Sequence, residues 1–140
     1  MTWKGAAAVC VNGDGQLLMV LQGTPEEEKK WAVPSGGLEK GESFEACCLR
    51  ELKEETGFEG SAVRPLFHKK NEEVDIRYFE VVLTGGCMTI DDPDGLIHEV
   101  AWKGADEMAG LILSFPEDRN LLNSFFPPKH REQHWTEGAY

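Results

Sequence analysis

No apolar run in this 140-residue chain approaches the length a membrane-spanning helix needs. The opening Met1-Thr2-Trp3-Lys4-Gly5 lacks the apolar stretch of a secretory signal. The expectation is a cytoplasmic location with no membrane partner. Basic residues are scarce: 14 Lys and Arg stand against 25 Asp and Glu, a formal net charge of -11. That balance argues against strong polynucleotide binding, which needs clustered cations on one face. It leaves room for a small phosphate substrate, because a bound metal ion can reverse the sign locally. Cysteine is limited to Cys10, Cys47, Cys48 and Cys87, without zinc-type spacing. Cys47 and Cys48 read as small, buried helix residues. His68, His98, His130 and His134 also lack metal-ligand spacing. Internal repeats, low-complexity tracts and linkers are missing. The length, with 41% hydrophobic and 28% charged residues, suits one globular domain over 1–140, with 129–140 as a polar tail. Trp135 and Tyr140 in that tail can dock on the body.

What is present begins with Ala6 to Asn12, a buried strand. Asn12-Gly13-Asp14-Gly15 predicts a hairpin turn, which makes Gln16 to Gln22 the partner strand. Gly23 to Lys30 is a polar loop whose charge run reads as solvated surface. Trp31 to Pro34 is a short extended piece that the proline ends. Ser61 to Lys70, Val74 to Thr84 and Leu96 to Lys103 are three further strands, rich in β-formers. Gly104 to Gly110 has room for one or two helical turns. Ser114 can cap a helix from Pro116 to about Phe126, and Pro127-Pro128 stops it. Several strands with one central and one C-terminal helix make a mixed α/β domain.

The central helix lies in Gly36 to Phe58, GGLEKGESFEACCLRELKEETGF. Ser43 is its N-cap, Phe44 to Thr56 its body and Gly57 its C′ residue. Phe44, Cys48 and Leu52 recur every four residues and should face the core. Glu51, Glu54 and Glu55 share one face and violate two local rules. Like charges at i,i+4 repel, and negative charge near a helix C-terminus opposes the macrodipole. Two carboxylates about 5 Å apart repel by roughly 3 kcal/mol at an effective dielectric of about 20. A hard divalent cation, which oxygen ligands of this kind hold, is the simplest compensation. The stripe should emerge at the edge of a cleft where the helix leaves the sheet.

Gly36, Glu42, Arg50, Glu51, Leu52, Glu54, Glu55, Gly57 and Phe58 match every fixed position of the Nudix box, G-x5-E-x7-R-E-U-x-E-E-x-G-U. The approach Trp31-Ala32-Val33-Pro34-Ser35-Gly36-Gly37 also resembles that family. The resemblance implies an α/β/α sandwich around a mixed β-sheet. It also implies hydrolysis, dependent on Mg²⁺ or Mn²⁺, of a nucleoside diphosphate linked to another moiety. Glu54 and Glu55 are then direct metal ligands, and Glu51 is a ligand or the general base. The Ser35 or Gly36 carbonyl is a further oxygen ligand. Glu42 and Arg50 orient loop and helix, with Gly37 and Gly57 as structural positions beside them. The family often forms homodimers, for which the C-terminal aromatics can serve.

Glu99 is the best acid outside the box. Some members recruit a later carboxylate as ligand or base, and a surface salt bridge is the alternative. No motif assigns substrate-binding residues. Phe67, Tyr78 and Phe79 can stack on a base, but core packing is favoured. Arg77 and Lys69 read as ordinary surface. Trp3 lines a pocket or caps the first strand. A nucleoside triphosphate is slightly favoured as substrate over ADP-ribose or a nucleotide sugar. The rivals are a nucleotide sensor without turnover and an acidic domain that binds only metal.

Overall fold

The computed structural model describes residues 2–126. The expected 129–140 tail, with Trp135, Tyr140 and the Pro127-Pro128 stop, lies outside them. Strands are β1 (Trp3–Val9), β2 (Leu17–Gln22), β3 (Lys30–Ala32), β4 (Ser35–Gly37), β5 (Phe58–Lys70), β6 (Val74–Gly86) and β7 (Ile97–Lys103). Helices are α1 (Phe44–Thr56), α2 (Ala105–Met108) and α3 (Arg119–Asn123), the last entered through a 3₁₀ turn at Pro116–Asp118. One sheet is mixed, ordered β4-β1-β6-β5 with β1 and β6 parallel. The other is antiparallel, ordered β3-β2-β7.

Side-chain alternation splits the core between two faces. Ala7 and Val9 of β1 join Leu17, Met19 and Tyr78 under Met108, Leu113 and Leu122 on one side. Ala6, Ala8 and Cys10 join Leu18, Phe79 and Val81 under Cys47, Cys48 and Leu52 of α1 on the other. A period of two along each strand sends neighbours to opposite faces, so helices cover both. This is the expected α/β/α sandwich; Tyr78 and Phe79 are core residues in it, whereas Phe67, also expected in the core, is 40% exposed.

The hairpin expectation needs correction. β1 and β2 meet only at the turn, where Leu18 N donates to the Cys10 carbonyl at 2.9 Å, and then enter different sheets. Both edges of β1 are already taken, by β4 and β6, which leaves none for β2. Asn12 holds the turn by accepting from Asp14 N and Gln16 N, and Gly15 supplies the positive φ. Ser35–Gly37 is likewise a strand and not loop. The small residues Gly5, Ala6 and Ala7 opposite it permit the close approach.

The C-terminal helix is shorter than expected. Ser114 does not cap it and instead accepts from Gln22 Nε2 at 3.3 Å. Lys69 is not ordinary surface: its ammonium lies 2.8 Å from Asp118 and 3.0 Å from Glu117. Among the described residues no helix is long and apolar enough to cross a membrane.

Candidate active site

The Nudix-box stretch starts at β4 and ends where α1 meets β5. Ser43 opens α1, its hydroxyl accepting from Ala46 N at 3.1 Å. Gly57 closes it at φ 83°, donating to the Lys53 carbonyl at 2.8 Å. Two amides of the loop after β6 also reach the helix end. Thr89 N donates to the Thr56 carbonyl and Asp91 N to the Glu54 carbonyl, each at 2.8 Å. Those donors satisfy carbonyls that a helix leaves unpaired and partly offset the negative pole on which the glutamates sit.

Arg50 is the hub of the site. Its guanidinium grips Glu42 with two bonds, Nε at 2.7 Å and Nη2 at 2.9 Å. Nη2 also donates to the Gly37 carbonyl at 2.9 Å, which ties β4 to the helix. Nη1 reaches Glu51 at 2.7 Å and Glu54 at 3.3 Å. A planar fork suits this use better than an ammonium would. The Arg50 bond, helped by the Glu39 amide, holds the Glu42 carboxyl down at about 2.

The three glutamates differ in burial. Glu54 is half-exposed, Glu51 mostly covered and Glu55 only 6% exposed. Burial first, then the neighbouring Glu51, pushes Glu55 up to about 9. Burial also raises Glu51. The Ser35 amide donates to Glu55 Oε1 at 3.2 Å. A methyl at Gly36 would meet the Glu51 carboxylate, which would have to move aside. The Gly36 carbonyl accepts from Cys47 Sγ at 3.4 Å.

The cleft holding these groups is about 480 Å³, with Trp3, Gly36, Gly37, Arg50 and the three glutamates among its walls. The loop after β6 contributes Asp92, Pro93 and Asp94. Asp92 is not among the site residues expected from the sequence. Its oxygens accept from the amides of Asp94, Leu96 and Ile97, so it organises that loop. It also faces the site closely enough to push Glu55 upward. Glu99 lies exposed on β7 opposite Leu21 and is not among the cleft-lining residues.

The donor set fits a hard divalent cation. It consists of carboxylate and carbonyl oxygens, and a buried pair that repels itself into protonation would ionise beside added positive charge. Among the described residues no three acidic, His or Cys side chains converge on a single point. Arg50 explains this, since it engages both Glu51 and Glu54.

The buried pair predicts a pH dependence. Glu55 holds its proton in the folded chain to about pH 9 but releases it near 4.5 when unfolded. Between those values the folded state binds the extra proton, so stability falls as pH rises. Glu55→Gln removes the titrating group. In EDTA it should flatten the melting-temperature profile between pH 5 and pH 9 and raise the value at pH 8 by several degrees, read by circular dichroism. A profile matching the wild type would refute the assignment.

A NUDIX domain model matches residues 1–125. The chain belongs to the Nudix family. Nudix hydrolase 5 of Arabidopsis thaliana is 31% identical over 110 residues, 74% of this chain and 36% of that protein. An RNA pyrophosphohydrolase of Novosphingobium aromaticivorans is 27% identical over 132 residues, 91% of this chain and 72% of that one. The chain therefore spans about a third of the first relative and under three quarters of the second. A Nudix hydrolase structure from Nitrosomonas europaea superposes with a TM-score of 0.73 at 24% identity, covering 84% of this chain and 83% of that one. At that identity the likeness establishes the Nudix fold and nothing finer.

Proposed function

We propose that this Nudix chain is a pyrophosphohydrolase that cleaves a nucleoside diphosphate linked to another moiety. The observation that carries the proposal is the cleft floor. Three glutamates of one helix face line it, one of them buried and pushed up by burial and a neighbouring carboxylate, and Arg50 and Glu42 tie β4 to that helix.

Mg²⁺ or Mn²⁺, when bound, would supply charge neutralisation at the phosphates and lower the pKa of a bound water. Glu54 and Glu55 would hold it, with the Ser35 or Gly36 carbonyl as a further oxygen. Glu51 would serve as a third ligand or accept the proton of the attacking water. In the overall reaction the water oxygen bonds to one phosphorus of the bridge. The bond from that phosphorus to the bridging oxygen breaks with its electron pair going to the bridging oxygen, and the two water protons end on products or solvent. Arg50 keeps Glu51 and the Gly37 backbone in register throughout, which is the positioning that phosphoryl transfer demands.

The relatives' names point to the same bond in different settings. One is the RNA pyrophosphohydrolase above. Another is an ADP-ribose pyrophosphatase of Bacillus subtilis, 48% identical over 56 residues, 39% of this chain and 30% of that one. A net charge of -11 favours a small nucleotide over an RNA chain.

A nucleotide-library screen with Mg²⁺ and Mn²⁺, products identified by mass, tests the reading. Phosphate-containing products should form from at least one nucleotide and only with metal. The same cations should raise the melting temperature, by roughly 10 °C at a hundredfold excess over Kd. Metal-induced stabilisation with no turnover of any nucleotide would leave a sensor or a metal-binding domain instead.

A further inference from the structure

A guanidinium has five N–H groups, and Arg50 directs all five at acceptors. Nε and one hydrogen of Nη2 hold the two Glu42 oxygens, at 2.7 and 2.9 Å. The second Nη2 hydrogen goes to the Gly37 carbonyl at 2.9 Å. Nη1 serves two carboxylates, Glu51 at 2.7 Å and Glu54 at 3.3 Å. Two further neighbours, Glu39 at 3.5 Å from Nε and Cys47 Sγ at 3.9 Å from Nη2, share donors already engaged.

These bonds are unequal. The Glu54 bond is the longest of the five. Its acceptor is also the most open, at 32% exposure against 12% for Glu42 and 14% for Glu51. Releasing Nε or Nη2 would untie Glu42 or β4 from the helix. Releasing Nη1 from Glu54 disturbs neither.

The cleft is short of cations. Glu39, the three helix glutamates, Asp92 and Asp94 line it, and Arg50 is the one Lys or Arg among its described lining residues. A guanidinium N–H is a strong donor to a phosphate oxygen. Here that donor is held by Glu54 through charge attraction, which falls once the carboxylate is neutralised by a second cation.

We infer that Arg50 changes partner: once Glu54 holds a divalent cation, the Nη1 hydrogen it shared turns to a phosphate oxygen of the substrate. The inference rests on the pyrophosphohydrolase reading of the cleft. It moves Arg50 from an orienting role to direct contact with substrate. The other four bonds persist, so β4 stays tied to α1 while the fifth donor is transferred. No covalent bond changes; one hydrogen bond is exchanged for another.

The test is ¹⁵N NMR of the arginine side chains during titration with Mg²⁺, then with methylenediphosphonate, a pyrophosphate analogue that resists hydrolysis. Arg119 is the reference. It donates to the Met108 and Leu111 carbonyls at 2.6 and 2.7 Å and does not line the cleft. Mg²⁺ alone should shift the Arg50 Nη1 resonance and speed its hydrogen exchange several-fold, with Arg119 unmoved. The diphosphonate should then slow that exchange again. An Nη1 signal that ignores Mg²⁺, or that gains no protection from the diphosphonate, overturns the inference. Calorimetry on Arg50→Lys is the second measurement, since an ammonium lacks the fork that serves several partners at once. At saturating Mg²⁺ this variant should bind the diphosphonate at least tenfold more weakly than the wild type. A diphosphonate Kd within threefold of wild type would leave Arg50 a pure orienter. Should the variant fail to fold, the wild-type spectra decide alone. If the wild type binds neither Mg²⁺ nor the diphosphonate, the reading of the cleft fails and this inference with it. If it binds both while Nη1 stays still, this inference alone fails.

Discussion

Replacing Glu54 with Gln should lower metal-dependent turnover by roughly a thousandfold or more, the scale on which a group that acts through a catalytic metal ion contributes. The fold should hardly notice. The Glu54 side chain is 32% exposed, and its one bond is the longest that Arg50 makes to a carboxylate of this helix face. Its backbone carbonyl, which accepts from Asp91 N, is untouched by the change. Gln keeps an oxygen of similar reach but loses the negative charge that neutralises a hard cation and strengthens its binding. Two measurements decide: kcat with Mg²⁺ on the best substrate, and the melting temperature in EDTA. Turnover within tenfold of wild type would remove Glu54 from the mechanism. Lost activity together with a fall in melting temperature of ten degrees would make it structural.

Gly57→Ala should have the largest effect on stability. The residue sits at φ 83°, where a side chain is strained by about 1 kcal/mol. A methyl there would also overlap the Cys87 carbonyl oxygen and come within 2.5 Å of Thr89 N. Neither atom can move cheaply, because Thr89 N caps the helix through the Thr56 carbonyl. Strain and overlap together should cost roughly 3 kcal/mol or more, which lowers the melting temperature by about ten degrees or more in a chain of this size. The displaced loop carries Asp92 and Asp94 into the cleft, so activity should fall with stability. A variant that melts within two degrees of wild type would show that the loop shifts freely.

Much of this site was legible in one dimension because it is local. Ser43, the 44–56 helix and Gly57 follow from capping and propensity alone. Three glutamates on one face of that helix follow from its 3.6-residue period. The Arg50–Glu42 pair joins residues eight apart within a single stretch, where the family resemblance places it. The sequence alone also determined the sandwich class, through a resemblance spread over nine positions, and the burial of Tyr78 and Phe79, through alternation.

Contacts between distant segments were not legible. The hairpin signal at Asn12 to Gly15 fixed the turn but not the strands' partners, since β4 and β6 lie 26 or more residues beyond β1 and compete for its edges. Glu99 and Asp92 are both acids in the last third of the chain, and nothing in their neighbours says which approaches α1. That choice was made by two backbone bonds from Thr89 and Asp91 to the end of the helix. The unequal burial of the glutamates was also a tertiary matter. At i, i+3 and i+4 they are equivalent by period. Glu55 is covered because β4 passes close enough for the Ser35 amide to reach it. Sequence set out the charges of the cleft; the packing of a strand and a loop around one helix end decided which of them is buried and pushed up.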